Sequence, residues 1–337
     1  MRRTVVIRMA VGTVQKSTST MVLVRGVSKN PRVAHVYLKG PSRLNLMTQA
    51  FTRDLRSCID VLDADTSIGC CVLQAAPPAT SQDKPFHFCA GIDLKEAASI
   101  FFQHVSTTTK LKAAAASSVE ATTGVRLDVA VSDGVGMPAM RAQHLHALIE
   151  QMQQATNGIA KCRVPIIAAI SGSCIGGGVD VAAACDFRLC SKDAVFSVKE
   201  AAVAITADLG TLQRLGRLCG EGNARELALT ARNFSSAHAK DIGFVNTVLD
   251  DYVALSAHAT AVADEIASNS PLAVQGTKVV LEHAFAGHTV EEGLTFVRMW
   301  NAAYLKSDDL VEAVKSFATK APPQYSDHVV PPSSGVK

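Results

Sequence analysis

One stretch limits what this chain can fold into more than any other: Val164 to Leu215, in which a buried strand runs into a glycine turn and then a helix. It opens on a short Ile-rich apolar run bounded by Pro165 and Gly172, the pattern of a strand covered on both faces. Gly176, Gly177 and Gly178 come next and lead into VDVAAAC, whose small apolar residues suit a packed helix. Glycines at a helix N-terminus leave backbone N–H groups pointing outward, which is a place to hold an oxyanion.

Three carboxylates stand at and beyond the glycines. Asp180 falls in the first turn after them, Glu200 comes after a second strand-like run at 194–198, and Asp208 stands in AVAITADLG before the amphipathic run TLQRLGRL. Anions in such apolar surroundings are costly to desolvate, so their pKa values rise toward the range useful for acid–base work near neutral pH. Each has a structural alternative: Asp208 as the cap of a helix beginning near Leu209, Glu200 as the partner of a nearby Arg, Asp180 as a first-turn residue favoured by the helix dipole.

The blocks HFCAGIDL (87–94), CIGGGVDVAAACDFRLC (174–190) and SVKEAAVAITADLGTLQRLG (197–216), in that order with carboxylates between them, resemble the enoyl-CoA hydratase/isomerase (crotonase) family. The resemblance covers roughly Met21 to Thr319 and is closest to the branch that converts 3,5-dienoyl thioesters to 2,4-dienoyl thioesters. It implies an α/β fold, a crotonase-like spiral of ββα units with a C-terminal helical region that covers the active site and packs subunits into a homotrimer or homohexamer. It also implies a fatty acyl-CoA thioester as substrate, no metal and no cofactor beyond the CoA the substrate carries. Carried over residue by residue, it places the oxyanion donors on Ile92 and Gly177, the acid–base groups on Asp180, Glu200 and Asp208, and substrate contacts on Arg43, Leu44, Asn45 and Ala90. A solvated surface arginine is an equal reading of Arg43, and Asp93 fits a helix cap better than a reacting group.

At 337 residues the chain can bury a substantial core. With 33 Lys and Arg against 30 Asp and Glu it offers no bulk charge for nucleic acid or an anionic membrane, and no apolar run reaches bilayer length. Nine cysteines without a CxxC pair read as buried free thiols in a reducing interior.

The first acidic residue is Asp54, so residues 1–20, basic and hydroxyl-rich, read as a targeting segment of mitochondrial type, with a disordered start as the alternative. A peroxisome-type organelle is the second expectation, although the ending SSGVK is not of the SKL kind. Residues 21–250 form the expected core, opened by a hairpin around SKNP whose second strand, VAHVYL, alternates. An Ala/Ser/Thr/Gly-rich insertion interrupts it near 105–138, and a helix over 141–162 leads back to the central strand. Residues 251–320 are helical by pattern and 321–337 form a loose tail; Lys278 reads as a contact for CoA phosphate or as a solvated lysine.

Removing an α-proton from a thioester leaves an enolate oxygen that two preorganised N–H donors stabilise, each worth roughly 3 kcal/mol in the transition state. Crotonase hydratases carry glutamates at the positions of Asp180 and Glu200, gripping one water; here the first is shorter and a third carboxylate, Asp208, is added. That favours proton shuttling, with Asp208 as base at C2, Glu200 as donor at C6, and Asp180 holding a water or tuning the pair. Enoyl-CoA hydration and 3,2-enoyl isomerisation are the rival activities. A non-catalytic RNA-binding relative is the rival of a different class, with little support from four Tyr and one Trp. IGGGVD lacks the spacing of a dinucleotide-binding turn.

Overall fold

The computed structural model describes residues 13–78, 86–101 and 138–327. The insertion expected near 105–138 lies, up to residue 137, outside the described residues, as do residues 1–12 and the end of the tail from 328.

The backbone alternates between two sheets. The larger holds β1 (Thr13–Ser17), β2 (Met21–Arg25), β3 (Val33–Leu38), β4 (Cys70–Ala75), β5 (Ile166–Ile170), β7 (Phe187–Ser191) and β10 (Thr247–Leu249) in that order. Its first two pairings are antiparallel and the rest parallel. The smaller sheet holds β6 (Ser173–Ile175), β8 (Val195–Ser197) and β9 (Phe234–Ser235). The hairpin from Met21 is present, and the larger sheet reaches back to Thr13, inside the stretch expected to be an N-terminal targeting segment.

Four successive units each place a strand in the larger sheet, touch the smaller layer, and then form a helix. β3 leads to Met47 and α1 (Gln49–Ala64); β4 leads to Cys89 and α2 (Leu94–Phe101). After α3 (Pro138–Lys161), β5 leads to β6 and α4 (Gly177–Ala184), and β7 leads to β8 and α5 (Thr211–Cys219). Parallel bridges Met47 to Ile92 and Cys89 to Cys174, with the β6–β8 pairing, stack the four crossings side by side. The turns after each crossing are therefore neighbours, although up to about 150 residues separate them.

α6 (Glu221–Thr230) and α7 (Ser236–Asp241) complete the core. α8 (Tyr252–Ala267) covers the other face of the larger sheet, burying Leu255, Ala259, Ala263 and Ala267 at a spacing of four against Val33, Val72, Ile167 and Leu189. Small side chains let it approach closely: a Cβ on Gly69 would stand 3.3 Å from the Ala267 Cα. This cover corrects the expectation for VAHVYL, since β3 is buried at every position rather than alternating. A central strand with both faces packed has no solvent face to require polar residues. α9 (Pro271–Phe285), α10 (Val290–Tyr304) and α11 (Asp308–Thr319) extend from this layer. The run 290–319 is two helices, because Ser307 stops one and caps the next by accepting the Leu310 N–H.

All nine cysteines are buried and free. Burial pushes the Cys89 and Cys185 thiols up to about 12, which keeps them unreactive. No described helix is long and apolar enough to cross a membrane.

Candidate active site

Two glycine turns face each other at the ends of the stacked crossings. In the first, Met47 donates its N–H to the Gly91 carbonyl at 2.8 Å and accepts the Asp93 N–H at 3.0 Å. That pairing engages the residues on either side of Ile92, so the Ile92 N–H itself points away from Met47. Gly91 sits at φ +98, and a Cβ there would be 3.2 Å from the Ile175 carbonyl oxygen, so the turn accepts only glycine without strain.

The second turn is built more tightly. Gly176 has φ +52 and donates its N–H to the Ser197 carbonyl at 2.8 Å, tying the turn to β8. Gly177 opens α4, where helix geometry leaves an N–H without an intrahelical acceptor. Gly178 packs on the first turn, since a Cβ there would stand 2.5 Å from the Cys89 carbonyl oxygen. Ile92 and Gly177 thus line one cavity of about 180 Å³ together with Ala90, Asp180, Glu200 and Asp208. Its apolar wall comes from Met47 and from Leu148, Ile149 and Met152 on α3, residues that no motif marks in the sequence. Their signal is only an apolar helix face, which a packed core would leave as well.

The three carboxylates differ in what holds them. Asp180 is 1% exposed, and its Oδ1 accepts the Thr211 N–H at 2.6 Å. It therefore caps α5, which begins at Thr211 rather than near Leu209, and the capping role considered for Asp208 belongs to Asp180. Burial pushes the Asp180 pKa up to about 7; the Thr211 hydrogen bond opposes this and the charges of Glu200 and Asp208 add to it. Glu200 stands beside the second turn, where a Cβ on Gly176 would meet its Oε1 at 3.0 Å. Its Oε2 is buried with no hydrogen-bond partner among the described residues, and no ion pair to an arginine is formed there. Burial raises its pKa, and Asp208 raises it further. Asp208 is half-buried, with its pKa raised by burial. Three acids in one cavity, each with its pKa raised, cannot all ionise freely.

Of the candidate substrate contacts, Ala90 lines the cavity, while Arg43 and Leu44 lie on the exposed turn before α1. Asn45 is fully buried: its Oδ1 accepts the Gly40 N–H at 2.6 Å, and its Nδ2 donates to the carbonyls of Leu38 and His87. Its side chain fixes the turn and is not presented outward. Lys278 corrects both expectations for it, being 7% exposed and donating to Asp186 at 2.8 Å and to the Val164 carbonyl at 3.2 Å. A helix from the C-terminal region reaches back to brace the start of β5, a contact no local pattern could announce. Among the described residues the cavity lining comes from residues 47–209, and within one chain the described C-terminal helices contribute nothing to it.

Residues 123–328 match the family model described as Enoyl-CoA hydratase/isomerase. The chain is 38% identical over 311 residues to a protein of Arabidopsis thaliana named peroxisomal Delta(3,5)-Delta(2,4)-dienoyl-CoA isomerase, covering 92% of this chain and 98% of that one. It is 36% identical over 293 residues to a human protein named mitochondrial Delta(3,5)-Delta(2,4)-dienoyl-CoA isomerase, covering 87% of this chain and 78% of that one. Its fold is that of a solved enoyl-CoA hydratase from Bacillus anthracis, with a TM-score of 0.71 at 24% identity over 92% of this chain and all of the other.

Proposed function

From a chain that belongs to the enoyl-CoA hydratase/isomerase family, we infer an isomerase of fatty acid oxidation that converts 3,5-dienoyl-CoA to 2,4-dienoyl-CoA. The observation that carries this reading is the division of labour among the carboxylates. Asp180 has one carboxylate oxygen held by the Thr211 N–H, which leaves it a single oxygen toward the cavity and weakens a paired grip on water with Glu200. Glu200 and Asp208 are left as two protonation-tuned groups in one cavity, facing two backbone donors and an apolar wall.

That arrangement supports the following chemistry. The thioester oxygen sits on the N–H groups of Ile92 and Gly177, which gain most as it becomes an enolate oxygen. Asp208 takes a proton from C2; the negative charge spreads along the diene; Glu200 in its acid form gives a proton at C6. Burial raises the pKa of both groups, toward the range in which a carboxylate can take a proton and give one back. Asp180 keeps the second turn and α5 in register, and the charges of Glu200 and Asp208 add to the burial that raises its own pKa. No cofactor is needed beyond the CoA that the substrate carries. Arg43 and Leu44 would meet the nucleotide part of CoA at the mouth of the site.

The C-terminal helices support self-association as a homotrimer or homohexamer. They expose Val290 at 81%, Val311 at 68% and Phe317 at 90%, an apolar load suited to burial against another copy. A mitochondrial matrix location is the first assignment and a peroxisome-type organelle the second, in keeping with the names of the two relatives.

The test is ultraviolet absorbance of the purified protein with 3,5-octadienoyl-CoA, with a 2-enoyl-CoA run in parallel. Growth of the conjugated 2,4-dienoyl signal, lost in Asp208→Asn and Glu200→Gln, supports the isomerase. Loss of the 2-enoyl signal alone would replace it with a hydratase.

A further inference from the structure

α3 meets the site in two ways, and the second has no place in the chemistry above. Leu148, Ile149 and Met152 face the cavity. One step round the same helix, Gln153, Thr156 and Asn157 face the segment that carries Asp208. Gln153 Nε2 donates to the Asp208 carbonyl at 2.6 Å, and Thr156 Oγ1 donates to the Leu209 carbonyl at 2.9 Å. Asn157 Oδ1 accepts from Arg214 Nη2 at 2.6 Å, in the first turn of α5. Positions 153, 156 and 157 fall on one helix face by the ordinary spacing of three and four.

The segment they hold has few other anchors of its own. It lies between the short 3₁₀ turn at Glu200–Val203 and α5, and residues 205–208 have no regular structure. Asp180 fixes its far end through Thr211. Without a tie at residue 208 itself, a carboxylate on such a segment could swing by an ångström or more, enough to spoil a proton transfer.

We propose that Gln153 is a positioning residue for Asp208: its amide pins the Asp208 carbonyl, with Thr156 pinning the next one, so that the Asp208 carboxylate is held into the acyl cavity. The inference rests on reading Asp208 as the base at C2. α3 then does two jobs with one rigid body, shaping the acyl wall with one face and setting the base with the next.

The experiment compares Gln153→Met, which keeps volume and removes the donor, with Gln153→Ala, Asp208→Asn and the exposed control Gln151→Ala. Each is assayed on 3,5-octadienoyl-CoA for kcat and KM across pH, alongside thermal unfolding. The expected result for Gln153→Met is a fall in kcat of about tenfold, KM within about twofold, and an unfolding temperature close to the parent's. The acidic limb of its kcat profile moves to lower pH, because a carboxylate released toward solvent loses part of the burial that raised its pKa. Gln151→Ala matches the parent. A folded Gln153→Met with unchanged kcat and an unchanged acidic limb overturns the inference while Asp208→Asn remains inactive. Full activity in Asp208→Asn overturns the reading beneath it, whatever Gln153 does.

Discussion

The turns at 87–94 and 174–180 are built from nearly the same parts and do different work. Each holds a buried free cysteine, the two paired by a parallel backbone β-bridge, and each runs through a glycine of positive φ to a residue whose N–H is turned outward. Each then supplies an aspartate. Asp93 Oδ1 accepts from the N–H groups of Lys95 and Glu96 and so caps its own helix. Asp180 lies one turn deeper, inside α4, and caps a different helix 31 residues away. Local sequence makes a glycine turn and an aspartate in both; what surrounds the aspartate decides whether it is a surface cap or part of a coupled acid cluster.

The largest effect should come from forcing the two turns apart. Gly178→Ala drives a methyl group against the Cys89 main-chain carbonyl, which cannot swing aside as a side chain could, and should cost about 1–3 kcal/mol of stability with a fall in kcat of about a hundredfold. Gly91→Ala strains the first turn through its positive φ and meets the Ile175 carbonyl of the second less closely, at 3.2 Å, costing about 1–3 kcal/mol in denaturant unfolding with a smaller loss of kcat. If Gly91→Ala were the more damaging of the two, the second turn would not be the tighter one.

Asp180→Asn separates burial from capping. Asparagine keeps an acceptor for the Thr211 N–H and removes the ionisation. Burial raises the folded pKa of Asp180 to about 7 against about 3.9 unfolded, so the stability its proton contributes is complete below the unfolded value and lost as pH rises toward 7. The variant should therefore unfold several degrees above the parent at pH 8, with the gap closing toward pH 4. Equal gains at both pH values would show that the ionisation of Asp180 is not what burial opposes. Asp93→Ala has the smallest effect, about 1 kcal/mol from a lost cap with kcat within twofold, read by thermal unfolding and the same assay.

Much of this is legible in the sequence because it is local. Strand, glycine turn and helix succeed each other within a few residues, and the carboxylates stand out by their apolar context. What the sequence hides lies in long-range pairing. Nothing near Asp180 announces Thr211 as its partner, and nothing near Lys278 announces Asp186, 92 residues earlier. Asn45 has the composition of a ligand contact, yet its amide is taken up by three backbone groups. Leu148, Ile149 and Met152 carry the periodicity of an ordinary buried face, and only the stacking of four turns leaves a cavity beside them.

The proposed mechanism divides the proton work between two carboxylates, Asp208 at C2 and Glu200 at C6, and proton NMR of 3,5-octadienoyl-CoA in D₂O reads that division most directly. With Glu200→Gln, the C2 proton should exchange for deuterium without formation of the 2,4-diene, while Asp208→Asn should do neither. Exchange at C2 in Asp208→Asn, or its loss in Glu200→Gln alone, would contradict the division.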